Sequence, residues 1–559
     1  MRGYLRKRIF IFILLICIGF ISVGSITYAI FTKSVAQENP NTITTLTCLD
    51  MSFKNQENII TLENQYPMSD EEALMDLTPY KFTIKNNCKN TVLANINFET
   101  LITNDSFSKE YINIWFNNKV NTFISNLDKL PVATEVANEG ATSNNLASVE
   151  FNQYEEKEFE FMLWANEDLT LEQGKNKNFS GKLAVTYQPI ISEKIYGVKR
   201  DVDTSSSAWT RTDDAVGLVA NAQFGTTPVR NDFDNIYPWS DIISYNYNTS
   251  TKTETAEYGD ANFKFDGSNG EVLTRIPEFY YRRYQQTESD GKTYEYVQIS
   301  AAPQDGFTKS ETFSVGRYTM SGSSSAVHSR SGVQPLTNVT IDNFRTYAQN
   351  LGNDFGQLDY RYYILQLLYL VEYADYNSQA KLGLGYTGIN NSVTTASGGC
   401  NDLGMKSGTY GANDGNFSVI YRGIEDIYGN VWQFVDGINI NDYITYICYD
   451  PSRYDSINFL TNECYKPVGY TNLNVTGVFT SKVGYDVTNP LVAMPIETKT
   501  EASSLTYITD HYITNSGNRI AIVGGEKGYG ESCGLWFWVT QDTSASKWTY
   551  TSARLLRYN

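Results

Sequence analysis

Histidine is the scarcest residue of chemical use in this chain, with only His328 and His511 among 559 positions. Cysteine is scarce too: seven residues, none of them in a CxxC pair. A Cys/His zinc site is therefore excluded, and general-base catalysis at neutral pH lacks its usual residue. Positive charge is also short. The 44 Lys and Arg face 62 Asp and Glu, a formal charge of −18. Phosphate backbones and anionic bilayers repel such a surface, so nucleic acid is not an expected partner and a membrane is reached only through the N-terminal segment. Beyond that segment there is no second apolar span and no C-terminal sorting tail. Gly-x-Ser-x-Gly, phosphate-loop and zinc motifs are missing, and the glycines at 383–386 and 398–399 read as loop residues. Carboxylates abound, yet no spacing among them supports a glycosidase. The chain reads as a non-enzyme without a cofactor, with room left for a structural calcium ion.

What is present points outward. The length exceeds what one hydrophobic core supports, so two or three domains are expected. Hydrophobic residues at 41% against 19% charged describe a foldable chain. Aromatics reach 14%, with 41 Tyr, a composition suited to β-rich extracellular proteins and to rigid, amphipathic contact surfaces. At the N-terminus Arg2, Arg6, Lys7 and Arg8 precede an uncharged, mostly apolar run from Ile9 to Thr32. A basic flank, an apolar core and the small-residue sites Thr27-Tyr28-Ala29 and Ser34-Val35-Ala36 make residues 1–36 a secretory signal. The run is also long enough for an uncleaved anchor. Either way the remainder is exported, to the cell surface or beyond. In that compartment disulfides Cys48–Cys88 and Cys448–Cys464 are open to formation, with free buried thiols as the alternative.

Residues 37–190 read as short strands. Tyr80-Lys81-Phe82-Thr83-Ile84, Val92–Phe98 and Glu158–Trp164 are examples, the last alternating Glu with Phe at the period of a half-buried strand. Ser69-Asp70-Glu71-Glu72 is a helix cap followed by acidic first-turn residues. The expectation is an all-β sandwich. Pro189 and Ser192-Glu193-Lys194 form a linker to a second domain at 191–559, with Gly-rich loops, aromatic clusters and short strands. Thr340 caps a helical patch, and Tyr363, Leu367, Leu370 and Val371 share one face of another between Asp359 and Tyr373. Gly429-Asn430-Val431-Trp432-Gln433-Phe434 is a tight turn feeding a core strand.

Two resemblances follow. The leader end Gly24–Phe31, the segments Tyr66–Glu71 and Leu77–Ile84, and the closing Leu163-Trp164 and Phe179–Leu183 resemble the TasA/camelysin family of biofilm and surface proteins. This implies an Ig-like sandwich outside a Gram-positive cell. The proteolysis described for camelysins is not carried over, because the stretch holds no His. The segment Gly429–Phe434 resembles the Gly-Asn-Val-Trp-Glu-Trp strand of the formylglycine-generating-enzyme-like branch of the C-type lectin fold. Residues 519–559 resemble the variable region of proteins diversified by retroelements on that same fold, as do Tyr237-Pro238-Trp239 and Arg275–Arg282 of the constant part. The fold class implied is thus multidomain: an all-β Ig-like sandwich, then an α+β C-type-lectin-like domain.

Carried over residue by residue, the ligand-binding surface comprises Glu526, Lys527, Tyr529, Glu531, Ser532, Trp536, Trp538, Thr540, Gln541, Asp542, Thr543 and Tyr550. Cys533, Ser546, Thr549 and Thr551 are further candidates. Glu526, Lys527 and Gln541 are not products of adenine-directed mutation of Asn codons, which favours a fixed ligand on the same scaffold over active diversification. Formylglycine generation needs a pair of cysteines near the domain end, and Cys533 stands alone there. The function implied is recognition of a protein or glycan on another cell, a host or a phage. A biofilm or fibre subunit built through the sandwich is the alternative, and a sulfatase-modifying type of enzyme the third.

Overall fold

The computed structural model describes residues 49–53, 59–63, 67–87, 91–101, 106, 108–133, 142–174, 177–189, 193–388 and 394–558. The leader, Tyr66 and the Cys48–Cys88 pair lie outside the described residues. The protein is mostly β-sheet, 42% strand to 13% helix, and divides into two compact units at Ile190/Ile191.

Among its described residues the first unit holds nine strands: β1 Leu49–Phe53, β2 Ile59–Glu63, β3 Tyr80–Asn86, β4 Val92–Leu101, β5 Ile112–Asn117, β6 Thr122–Asn126, β7 Thr142–Phe151, β8 Glu156–Ala165 and β9 Asn178–Pro189. They form two sheets, β1-β3-β8-β5-β6 and β2-β9-β4-β7. Inward residues of both sheets share one core, with Phe98 stacked on Phe161 across the gap at 5.4 Å. In β8 the period of two places Phe159 and Phe161 inside and Glu158 and Glu160 towards solvent, each buried Phe contributing about 1.5–3 kcal/mol. The alternation then stops, and Met162 to Ala165 are all buried. The helix α1, Asp70–Asp76, explains the change, because its Ala73 packs with Met162 and Trp164 and makes a second, smaller core there. Ser69 caps α1 reciprocally: its hydroxyl accepts from the Glu72 N–H, and the Glu72 carboxylate accepts from the Ser69 N–H at 2.9 Å.

The second unit is organised about a long helix and a sheet. A five-stranded sheet starts it: β10 Ile195–Asp201, β11 Thr210–Asp213, β12 Phe279–Thr287, β13 Thr293–Ser300 and β14 Thr308–Ser310, in the order β11-β10-β13-β12-β14. Two helices follow, α2 Ile341–Gln349, capped by Thr340, and α3 Arg361–Tyr373. The last sheet has a centre of four strands, β15 Trp432–Asn441, β16 Ile508–Thr514, β17 Asn518–Gly524 and β18 Gly534–Thr540, ordered β15-β17-β18-β16. This sheet separates two cores. Ala521, Val523, Trp536 and Trp538 face the core that contains α3, while Ile520, Ile522, Phe537 and Val539 face the one that contains Phe344 of α2. Because both sides of the strands are covered, their sequence is nearly continuous apolar rather than alternating.

Helix α3 departs from the single apolar face expected of it. Every residue from Tyr362 to Tyr373 is buried, so its polar members need partners inside the fold. Glu372 receives two hydrogen bonds from Arg422, at 2.7 and 2.8 Å, and further ones from Asn231 and Tyr421. Gln366 and Tyr362 donate to the Leu535 carbonyl of β18. Cys448 and Cys464 are joined in a disulfide, whereas Cys400 and Cys533 are free and buried.

The last strand, β19 Arg554–Tyr558, inserts into a six-stranded sheet beside Phe313–Thr319. Arg554 is completely buried. Its Nε donates to Gln433 Oε1 at 2.9 Å, Nη1 to the carbonyls of Gly316 and Arg317, and Nη2 to those of Glu425 and Asp426. Burial pushes its pKa down to about 10. Gln433 donates in turn to the Asp426 carbonyl at 2.7 Å. The Gln in the turn-strand motif and the Arg near the C-terminus thus form one structural lock.

Candidate ligand-binding face

The candidate residues fall into three groups once folded. Trp536, Trp538 and Thr540 belong to β18 and are not on the surface, which corrects the expectation for them. The reason is packing on α3. The Trp538 ring lies 5.1 Å from Tyr363 and 5.7 Å from Tyr362, and the Trp536 ring 5.0 Å from Tyr376 and 5.5 Å from Tyr369. The Thr540 hydroxyl is buried between Tyr512 and Thr514. Lys527 is a second correction. It is only 6% exposed, its ammonium lying over the Tyr386 ring at 4.5 Å, and burial lowers its pKa.

Two loops at the ends of β18 carry the remainder. The first, between β17 and β18, presents Glu526, Tyr529, Glu531 and Ser532. Here Gly524 and Gly525 adopt φ of 91° and 81°, and a side chain at Gly525 would meet the Cys533 sulfur at 2.4 Å, so glycine is required. The loop backbone is held from outside: Gly528 N–H donates to the Thr387 carbonyl at 2.8 Å, and Gln379 donates to the Gly530 carbonyl at 2.9 Å. Ser504 donates to the Glu531 carboxylate at 2.8 Å. Glu526 is half-buried, and that burial, opposed by the nearby Lys527 charge, raises its pKa to about 7.

The second loop runs from Gln541 to Tyr550. Ile520 N–H donates to the Asp542 carbonyl at 3.0 Å, Asn338 N–H to the Trp548 carbonyl at 2.8 Å and Trp432 N–H to the Tyr550 carbonyl at 2.9 Å. Thr543 and Ser546 close a small internal turn. Gln541 and Thr543 are exposed, Asp542 and Tyr550 half-buried. Thr549 is exposed and Ser546 half-buried, whereas Thr551 is buried. Trp548 is 42% exposed. It is stacked on Tyr550 with the rings 4° from parallel, and its indole N–H donates to Asp542 at 3.1 Å.

An aromatic floor underlies the first loop. Tyr529, 39% exposed, meets the rings of Trp432 at 5.3 Å and Phe537 at 5.5 Å, and Phe537 is flanked by His511. Burial lowers the His511 pKa. The sequence reading assigned Trp432 to the core strand and left Trp548 out of the binding surface. The exposed Trp548 ring was therefore missed, although an aromatic flanked by Ser, Lys and Thr in a polar loop signals it. Cys533 is buried, its thiol donating to the Glu526 carbonyl at 3.3 Å, and burial raises its pKa well above the ordinary thiol value. Among the described residues no group of three or more His, Cys, Asp or Glu is placed to hold a metal ion, and no helix is long and apolar enough to cross a membrane. No protein-family model matches the chain, and no curated protein matches it.

Proposed function

We propose that this is an exported, non-catalytic surface protein in which an Ig-like sandwich displays a C-type-lectin-like domain, and that the C-terminal face of that domain binds a protein or glycan on another cell, a host or a phage. One observation carries the reading. The two loops have backbones tied to fixed elements while Tyr529, Gln541, Thr543 and Trp548 keep exposed side chains. Such a surface needs little ordering on binding, which is where much affinity is otherwise lost. The sulfatase-modifying type of enzyme draws less support. Free Cys400 packs with Leu403 and Ile420 in a cluster that does not include Cys533, whose own thiol is held protonated by burial.

The test is capture of the full chain on protein and glycan arrays, beside a variant carrying Tyr529→Ala, Gln541→Ala and Trp548→Ala. The expected loss of affinity is about thirtyfold or more, as for truncation of a central aromatic anchor, with an unchanged melting temperature. Undiminished capture by a stable triple variant would refute the assignment and move the search to the sandwich.

A further inference from the structure

The first turn of α3 borders a cavity of about 390 Å³ that is separate from the C-terminal face. Its lining is assembled from five segments: Tyr281 of β12, the strand β14 with its flank, Tyr360, Arg361 and Ile364 at the start of α3, and Tyr449 and Leu491 from two loops. The volume lies in the range of small-ligand sites, ~300–1,000 Å³.

Three features restrict what could fill it. The first is aromatic surface. Tyr360 and Tyr449 meet edge to face at 4.8 Å, and Tyr449 is 43% exposed, so one ring is available to a ligand while the other braces it. The second is unmet hydrogen-bonding capacity. Tyr281 is only 8% exposed, and its hydroxyl has no hydrogen-bond partner among the described residues. Arg361 donates from its side chain to Asp359 through Nη1 alone, at 2.6 Å. An apolar ligand would leave these donors buried and unpaired, at a cost. The third is charge balance. Arg361 is paired with Asp359, and Lys309 at the rim is paired with Glu278 at 2.8 Å and Glu311 at 2.9 Å. Inside the cavity the one ion pair is closed, and at the exposed rim one carboxylate is left in excess, which repels an anion. A neutral, polyhydroxylated molecule with a flat C–H face meets all three conditions, because its hydroxyls pair with Tyr281 and Arg361 while the tyrosine rings cover its C–H face.

We infer that this cavity is a second binding site, for a neutral saccharide unit. The site is independent of the C-terminal face and shares no residue with it. Burial and the adjacent Tyr360 raise the Tyr281 pKa, which keeps its hydroxyl a proton donor at all physiological pH.

The experiment is titration of the full chain with glucose, galactose and N-acetylglucosamine, followed by ligand-observed NMR, with sodium glucuronate and glycerol as controls. At least one neutral sugar should bind saturably and glycerol should not. Tyr449→Ala should weaken that binding about tenfold or more. Tyr281→Phe, which removes one hydroxyl and little else, should weaken it about three- to tenfold. Neither should move the melting temperature, and Trp548→Ala on the C-terminal face should bind like the parent. The inference is overturned if none of the three sugars binds, if glucuronate binds better than they do, if Tyr449→Ala binds unchanged, or if Trp548→Ala abolishes the binding.

Discussion

Replacing Trp538 by Ala separates scaffold from surface in the region where the sequence shows only a run of aromatics. The side chain is 1% exposed and packs on Tyr362 and Tyr363. A buried Trp removes ~150–250 Å² from water, which at ~25 cal/mol per Å² is about 4–6 kcal/mol. Against this, the indole N–H has no hydrogen-bond partner among the described residues, so its removal relieves an unsatisfied donor worth about 1–3 kcal/mol. The expected net loss is about 3 kcal/mol, at the lower end for buried Trp→Ala. Trp548→Ala, by contrast, removes a ring that is 42% exposed and should cost under about 1 kcal/mol. Guanidinium denaturation followed by far-UV circular dichroism compares the two without relying on tryptophan fluorescence. A Trp538→Ala protein within about 1 kcal/mol of the parent, or a Trp548→Ala protein as unstable as Trp538→Ala, would refute the division.

Glu526 should titrate near pH 7 in a carboxyl-detected NMR experiment, against an ordinary value of 4.5. The folded protein holds this proton more tightly than the unfolded chain does. The stabilisation it supplies is therefore complete below about pH 4.5 and lost as pH rises through about 7, and Glu526→Gln should remove that step from the stability profile. A midpoint near 4.5 would show the carboxylate to be well solvated. The Cys448–Cys464 bridge spans a sequence separation of 16, a loop whose closure is worth about 3 kcal/mol. The double Ser variant should lose about that much in chemical denaturation, and an unchanged midpoint would contradict it.

Local features were legible because their causes are local. The capping box at Ser69, the Thr340 cap, the alternation of Glu158, Phe159, Glu160 and Phe161, and the Gly429-Asn430 turn each depend on a few neighbouring residues. The outward faces of the two loops at the ends of β18 were partly legible too, since Tyr529, Gln541 and Thr543 interrupt apolar strands with polar neighbours. Depth was not. Trp536, Trp538 and Thr540 read as surface residues because aromatic and polar side chains between glycines look alike whether they face water or a helix. Only the packing of α3, more than 150 positions earlier in the chain, decides that they face inward. Lys527 was misplaced for the same reason: the ring that covers its charge belongs to Tyr386. The Arg554–Gln433 lock and the tyrosine cavity lie further still from sequence reasoning, because each is built from segments that come together only when the chain folds. The sequence alone determined which stretches become strands, turns and capped helices, since backbone preference and hydrophobic period act between near neighbours. Which of its many aromatics form the core and which stay exposed was decided by tertiary structure, since burial belongs to what lies opposite a side chain and not to what lies beside it.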